Sequence, residues 1–224
     1  MELKNNLMSQ LIFKFPFKIN YFENDFYVSS NNFEAYKLIE NWPNWPDNLV
    51  NVFGPKGCGK THLSKILNQK INSVIVSPLE INKSDFSLLD IECLIIDNYE
   101  NNIDQNLFYS IINNIKQANK YIVVNSKIPI TKMKVDLKDL QSRLNSFVSF
   151  GINLPTDDLL RVMITKSFSD NQIKISNKNL EFIIKNIDRS YENVLKFIKN
   201  IDRESLSSGK SININLIKKV LINE

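Results

Sequence analysis

The chain has 224 residues, enough for one large domain or for a core with a small second domain. Its 43% apolar and 23% charged residues are ordinary for a soluble globular protein, and a net charge of +4 permits nucleic-acid contact without requiring it. No apolar run approaches the roughly 20 residues of a membrane span, and there is no signal-peptide pattern. Cys58 and Cys93 have neither metal-site nor disulfide spacing, so we expect a cytoplasmic protein without membrane contact.

The predicted elements begin with residues 1–20, which we interpret as an extended tail with an apolar, aromatic cluster. A short helical pattern follows at Phe33–Glu40. Trp42 and Trp45 lie in a turn-rich stretch and are interpreted as a packing feature beside a strand. The apolar run Leu49–Phe53 predicts that strand.

The most informative motif comes directly after this strand and before a helical run. It is a full match to G-x-x-x-x-G-K-[ST], in which backbone N–H groups face a phosphate, Lys60 reaches the β- and γ-phosphates and Thr61 ligates Mg²⁺. An ordinary glycine turn is the alternative, but three of the five glycines of the chain lie in this motif. The predicted phosphate-binding residues are Gly54, Pro55, Lys56, Gly57, Cys58, Gly59, Lys60, Thr61 and His62.

Beyond this loop, short β-branched runs alternate with helical stretches. Strands are predicted at Val74–Val76, Cys93–Ile96, Tyr121–Val124 and Phe147–Ile152, with a helix within Ile103–Ala118. Such alternation predicts an α/β fold with a parallel sheet.

After Pro155 the pattern is helical only. Thr156, Ser176 and Ser190 are interpreted as helix starts, and Ile214–Ile222 as the last helix. The predicted domains are a tail, a nucleotide-binding core and a small helical domain, at residues 1–20, 21–154 and 155–224.

A second part of the nucleotide site is predicted where Leu94–Asp97, an apolar run, ends in an acid. Asp97 would hold Mg²⁺ directly or through water, although a strand-terminal turn aspartate is the alternative. An efficient ATPase often has a second acid at the next position, but Asn98 cannot accept a proton at neutral pH. Glu100 is a candidate substitute at unknown distance. The sequence therefore supports nucleotide binding better than turnover.

The strand that begins at Tyr121 also ends in polar residues. Because ligands collect at the carboxyl ends of parallel strands, Asn125 or Ser126 would lie beside the phosphate loop and sense the γ-phosphate or orient water. A polar strand end that turns before Pro129 is the open alternative.

Together, three motifs resemble one family over nearly the whole chain. The DnaA-related AAA+ proteins have similar motifs at three places: the phosphate loop followed by His62-Leu63, the segment Ile95–Asn98, and the segment Asp139–Leu144 before a helical tail. The Hda branch is more similar than DnaA itself, because it shares Asp97-Asn98 and because the chain ends after the helical lid. Gln10–Phe15 also looks like the short clamp-binding motif of that branch.

This resemblance implies an AAA+ core with a helical lid, and a regulator of chromosome replication initiation. The implied cofactors are ADP or ATP with Mg²⁺ held at Thr61 and Asp97. The implied partners are the sliding clamp (the β subunit of DNA polymerase), DnaA, DNA indirectly through the clamp, and a second copy in a possible homodimer. The implied clamp-binding residues are Gln10, Leu11, Phe13 and Phe15. From the residues alone, an edge strand or a self-packed tail is the alternative.

Arg143 aligns with the arginine finger of that branch. The resemblance implies that it reaches ATP on DnaA and promotes its hydrolysis in trans, while intrinsic ATPase activity is weak or absent. A surface ion pair with Asp136 or Asp139 is the alternative.

For adenine, the resemblance implies Phe26 and Val28, with Asn31 and Asn32 in the same segment. A surface loop packed by Phe26 is the alternative.

The chain departs from the family in its lid and after its fourth strand. Glu192 stands where an arginine normally meets the phosphates, and Arg189 is the candidate replacement. Lys127 stands where an acid is usual.

Two rival interpretations remain. Glu192 leaves open a nucleotide-free AAA+ scaffold, although the intact Lys60-Thr61 and Asp97 argue against it. A nucleic-acid-stimulated ATPase or helicase-loader would need a basic channel and a water-activating residue; neither is evident, although Lys127, Lys132 and Lys134 form a modest basic cluster.

Overall fold

The computed structural model describes residues 26–82, 90–171, 174–208 and 212–222. These residues divide into two compact units, with the boundary between Pro155 and Thr156. Within the described ranges, no helix combines the length and the apolar character needed to cross a membrane.

The first unit is a five-stranded parallel sheet with flanking helices, which confirms the predicted α/β class. Its strands are β1 (Leu49–Phe53), β2 (Ser73–Val76), β3 (Cys93–Tyr99), β4 (Tyr121–Ser126) and β5 (Val148–Gly151). Its helices are α1 (Phe33–Glu40), α2 (Lys60–Lys70), α3 (Pro78–Ile81), α4 (Gln105–Gln117) and α5 (Lys138–Asn145). The strand order β2-β3-β4-β1-β5 places β1, β4 and β3 side by side in the centre.

The three central strands are almost continuously buried, as expected for parallel strands that are covered on both faces. Their registers align Val52 with Asn125, and Ile96 with Val124. As a result, the carboxyl ends of β1, β3 and β4 lie at one edge of the sheet, where the phosphate loop also begins.

At the opposite end of β4, the ring of Tyr121 packs edge-on against Trp42 and Trp45, with centroids 4.6 and 5.5 Å away. The indole N–H of Trp45 donates a 2.7 Å hydrogen bond to the carbonyl of Leu38 in α1. These contacts confirm the two tryptophans as a packing feature.

The second unit contains four helices, α6 (Asp157–Asp170), α7 (Asn177–Asn186), α8 (Tyr191–Ser208) and α9 (Ile214–Ile222), among its described residues. Thr156, Ser176 and Ser190 each accept a hydrogen bond from a backbone N–H in the first turn that follows. The three predicted helix starts are therefore confirmed, because hydroxyl side chains satisfy N–H groups that a helix leaves unpaired.

Several strand boundaries differ from the prediction, beginning with β2, which starts one residue earlier, at Ser73. β3 continues three residues beyond Ile96, with a register shift between Ile96 and Tyr99 and a left-handed φ of 60° at Asn98. The polar pair Asp97-Asn98 interrupts the apolar run, so the sequence pattern ends before the strand does. The fifth strand is shorter than Phe147–Ile152. The one-turn helix α3 was not predicted; Ser77 and Glu80 form a capping box at its start.

Candidate nucleotide site

The phosphate loop connects β1 to α2, and two of its glycines are required by geometry. Gly59 has a φ of +99°, and a Cβ there would lie 2.9 Å from the ring of Phe26. A Cβ on Gly54 would lie 2.6 Å from the carbonyl oxygen of Ile152. A side chain does not fit at either position. Glycine therefore lets the backbone pass close to Ile152 at Gly54 and turn sharply at Gly59, directly before α2.

Lys60 is held inside this loop, with only 8% of its surface exposed. Its ammonium donates hydrogen bonds to the carbonyl oxygens of Gly54 and Pro55, at 2.7 and 3.0 Å. A buried ammonium needs such partners, and an anionic phosphate is a stronger acceptor than either carbonyl. The arrangement therefore places a cation where the motif requires one.

Cys58 is buried in the same loop, with its sulfur 3.7 Å from the Lys60 ammonium. Burial raises the pKa of the Cys58 thiol, although the charge of Lys60 acts in the opposite direction. The thiol therefore stays neutral at physiological pH. Lys56 is exposed on the loop and Pro55 is half-buried.

The structure brings together Thr61, Asp97 and Asn125, from α2, β3 and β4. The Thr61 hydroxyl donates a 2.8 Å hydrogen bond to Oδ2 of Asp97, and the Asn125 amide donates a 2.8 Å bond to Oδ1. Carboxylate and hydroxyl oxygens are suitable Mg²⁺ ligands beside a phosphate. No group of three His, Cys, Asp or Glu residues in the described ranges forms a metal site. A cation here would thus need oxygens from Thr61 and from the nucleotide.

The residues after Asp97 are not arranged as a water-activating group. Asn98 is exposed, and its amide nitrogen is 3.4 Å from Oδ2 of Asp97. Glu100 is exposed and pairs with Lys127, with 2.5 Å between carboxylate oxygen and ammonium. The hydrogen bond and charge of Lys127 lower the pKa of Glu100. Glu100 is therefore ionised and engaged with a lysine.

Phe26, predicted to meet adenine, lies against the end of the phosphate loop. Its ring stacks on Tyr36 at 5.8 Å and meets the His62 ring edge-on at 5.4 Å. Val28 is half-buried in the same segment. This places an aromatic surface beside Gly59.

The amides of Asn31 and Asn32 are used within the protein. Asn31 donates to the carbonyl of Leu154 at 2.9 Å, and Asn32 donates to the carbonyl of Tyr27 at 2.9 Å. Both residues fix the segment that contains Phe26, and their side chains are engaged in structural hydrogen bonds.

Arg143 lies in the last turn of α5 and is half-buried. Its guanidinium makes no ion pair within the part of the chain that the structure describes, and neither Asp136 nor Asp139 pairs with it. The predicted clamp-binding residues Gln10, Leu11, Phe13 and Phe15 lie outside the described residues.

In the second unit, Arg189 lies between α7 and α8 and pairs with Asp157, the first residue of α6. Its guanidinium is 2.9 Å from Oδ1 of Asp157, and the two side chains are 57% and 54% exposed. Glu192 is exposed in the first turn of α8.

Sequence reasoning missed two buried polar residues. Ser64 accepts a 2.7 Å hydrogen bond from Asn125, and its position one helical turn after Thr61 was a usable signal. Asn51, in the middle of β1, donates to the Val124 carbonyl and to the Ser126 hydroxyl, and accepts from the Ile130 N–H. A lone amide inside an apolar strand was the signal for Asn51.

A central parallel sheet with a phosphate loop after β1 and an acid on β3 defines a P-loop nucleotide-binding fold of the AAA+ class. No protein-family model matches the chain. Among known proteins, it is 23% identical over 212 residues to an uncharacterized protein of Haemophilus influenzae, covering 88% of this chain and 91% of that protein.

Within the AAA+ class, the likeness is to the replication initiator DnaA. DnaA 1 of Chlamydia trachomatis is 26% identical over 190 residues, which cover 72% of this chain but only 40% of that protein. DnaA domain III of Thermotoga maritima has the same fold, with a TM-score of 0.76, 17% identity and coverage of 93% and 98% of the two chains. AMPPCP-bound DnaA of Aquifex aeolicus gives a TM-score of 0.66, 18% identity and coverage of 83% and 66%.

Proposed function

We propose that this protein binds ADP or ATP with Mg²⁺ and regulates replication initiation by completing the ATP site of DnaA in trans. It would dock on the DNA-loaded sliding clamp through Gln10–Phe15 and present Arg143 to ATP on DnaA. The product would be ADP-bound, inactive initiator. The observation that carries the proposal is the cluster of Lys60, Thr61 and Asp97 at the phosphate loop, beside which the described residues offer no unpaired water-activating acid.

The binding half of the proposal is supported by the cluster at the carboxyl edge of the sheet. Lys60 supplies the charge for the β- and γ-phosphates, and Thr61 with Asp97 supplies oxygens for the cation. Phe26 offers an apolar surface for the base at the end of the loop. The DnaA structure with AMPPCP bound makes an adenine nucleotide the natural candidate.

Weak turnover is supported by the residues after Asp97. Hydrolysis needs a group that orients or deprotonates the attacking water. Asn98 cannot accept a proton, and Glu100 is paired with Lys127. The protein would therefore hold its own nucleotide for structural reasons.

A role for Arg143 in trans is supported by its surroundings. A guanidinium that is half-buried and without an ion pair among the described residues is available to an anion on another subunit. An arginine finger contributes about 10³–10⁵ in rate when it stabilises the charge that develops during phosphoryl transfer.

The test is hydrolysis of ATP bound to DnaA from the same organism, in the presence of clamp loaded on DNA. Wild type should stimulate hydrolysis, and both Arg143→Ala and a Gln10→Ala/Leu11→Ala variant should fail to do so. Arg203→Ala, which removes an exposed arginine from α8, is the matched control and should behave as wild type.

Binding of ADP separates the remaining interpretations. Arg143→Ala and the tail variant should bind ADP as wild type does, because neither position belongs to the phosphate loop. If wild type leaves DnaA hydrolysis unchanged, the regulatory proposal is wrong. If it does not bind ADP either, the nucleotide-free scaffold is favoured. Strong intrinsic hydrolysis that increases with DNA would favour the helicase-loader.

A further inference from the structure

A second concave site lies next to the nucleotide cluster on the first unit. It is a groove of about 490 Å³, formed by the loop around Glu100 and the loop from Lys127 to Lys134. Its volume is within the range of roughly 300–1,000 Å³ that is typical of binding sites. The two loops follow Asp97 and Asn125, so the groove continues the functional edge of the sheet. We refer to it as the basic groove.

The basic groove is preformed by one hydrogen bond between its two loops and by hydrogen bonds within each loop. The Tyr99 hydroxyl is 3.2 Å from Oδ1 of Asn101, and the Asn101 amide donates a 3.3 Å bond to the Lys134 carbonyl. Ser126 donates a 2.6 Å bond to the carbonyl of Ile128, which fixes the start of the second loop. A ligand would therefore meet walls that are already tied together, which lowers the entropic cost of binding.

The charges that line the basic groove are mostly positive. Lys127 is paired with Glu100, the one carboxylate among the described residues that line the groove. Lys132 and Lys134 are exposed, and their side chains make no ion pair within the described ranges. Asp136, two residues further on, does not pair with them either. The two lysines are thus available to carboxylates of a ligand.

The apolar surface that a ligand could reach in the basic groove comes from an aliphatic side chain and not from an aromatic ring. Ile128 is 51% exposed, which is unusual for a large apolar side chain among lysines, and Met133 is buried beneath the surface. Tyr99 lines the groove but has no exposed surface, so its ring cannot stack on a nucleic-acid base. Single-stranded nucleic acid is usually held by exposed aromatic rings beside basic residues. Accessible isoleucine with lysines instead fits a peptide that alternates acidic and aliphatic residues.

We propose that the basic groove is a docking site for an acidic, aliphatic peptide segment of a partner protein. An aliphatic side chain of the peptide packs on Ile128, and its carboxylates pair with Lys132 and Lys134. The residues that form the basic groove are different from those predicted to bind phosphate, the clamp or ATP on DnaA. Its occupation requires neither a nucleotide nor the clamp.

The test is fluorescence anisotropy of the full-length protein with a labelled peptide of alternating leucine and aspartate. Lys132→Glu/Lys134→Glu should weaken binding by about tenfold, since each exposed ion pair contributes about threefold. Ile128→Ser should weaken it by about threefold through lost apolar contact. Lys132→Gln/Lys134→Gln gives a milder second variant in case charge reversal disturbs folding.

Three controls make the result decisive. Lys196→Glu/Lys199→Glu changes the net charge equally, on exposed lysines of α8, and should leave peptide binding unchanged. A peptide with asparagine in place of aspartate, and one with serine in place of leucine, should both bind weakly. All variants should keep wild-type ADP binding, so that failure of this proposal is distinguishable from failure of the proposed function.

The proposal is overturned if the acidic leucine peptide shows no saturable binding, or if the groove variants bind it as wild type does. It is also overturned if oligothymidylate binds more tightly than the peptide and loses affinity in the same lysine variants. That result would assign the basic groove to nucleic acid.

Discussion

The two units of the molecule hold charged side chains in contrasting ways. In the first unit, Lys60 and Asp97 are each 8% exposed, and both are hydrogen-bonded to neighbouring residues. In the second, Arg189 and Asp157 form an ion pair that is more than half exposed. Removing a partner from the buried set would lower the free energy of unfolding strongly, because a buried charge would lose its partner. The exposed pair contributes little to the free energy of unfolding, so its two side chains can separate at small cost. The first unit therefore pre-organises its site, and Arg189 can change partner at small cost.

The largest effect on stability is expected when a buried polar side chain is removed from the first unit. Asn51→Leu would leave the Ile130 N–H and the Val124 carbonyl without their partner, so the free energy of unfolding should fall by about 3 kcal/mol. Urea denaturation measures the loss. Asn114→Leu, on the exposed face of α4, is the control and should change stability by less than about 0.5 kcal/mol. Equal effects of both variants would contradict the structural role of Asn51.

The next largest effect is expected on ligand affinity. Lys60→Ala should weaken ADP binding by about 100-fold, because a charged hydrogen-bond donor to phosphate contributes about 1.5–3 kcal/mol. Isothermal titration calorimetry is the measurement. Lys116→Ala, an exposed lysine on α4, should bind ADP as wild type does. Unchanged affinity in Lys60→Ala would mean that ADP is bound elsewhere.

Asp97→Asn tests the cation. ADP affinity should fall by about tenfold in Mg²⁺, since one charged interaction of about 1.5 kcal/mol is lost. In EDTA, wild type and variant should bind ADP with the same affinity. Asp136→Asn removes an exposed charge and is the control. Its ADP affinity should equal that of wild type both in Mg²⁺ and in EDTA. A loss of equal size with and without Mg²⁺ would contradict a role of Asp97 in holding the cation.

The smallest effect is expected in the second unit. Arg189→Gln should lower the free energy of unfolding by no more than about 0.5 kcal/mol, because exposed ion pairs contribute little. If Arg189 exchanges Asp157 for a nucleotide phosphate, ADP affinity should fall by about threefold, within the range of an exposed ion pair. Arg203→Gln is the control for both measurements. A destabilisation above about 2 kcal/mol would show that the pair is not the exposed contact described above.

Much of this organisation could be predicted from the sequence, because it follows from local rules. The phosphate loop is a contiguous motif, and Asp97 and Asn125 each follow an apolar run in strands whose carboxyl ends must meet in a parallel sheet. Thr156, Ser176 and Ser190 were identifiable as helix starts because hydroxyl side chains cap helices.

The remaining features depend on contacts between residues that are distant in sequence, and no local sequence pattern predicts such contacts. The link from Asn51 to Ile130 spans 79 residues and requires the register of β1 on β4. The pairing of Glu100 with Lys127 joins two different loops. The basic groove likewise exists only after β3 and β4 have aligned.

The position of the two tryptophans has a spectroscopic consequence. Trp42 and Trp45 are the only tryptophans in the chain, and both contact Tyr121 at the amino end of β4. The nucleotide cluster lies near the carboxyl end of this six-residue strand, about 17 Å away at about 3.3 Å per residue. Indole emission should therefore report the melting of the first unit while staying insensitive to an occupied phosphate loop. Unfolding of the helical unit alone, which has no indole, should be silent in the same spectrum.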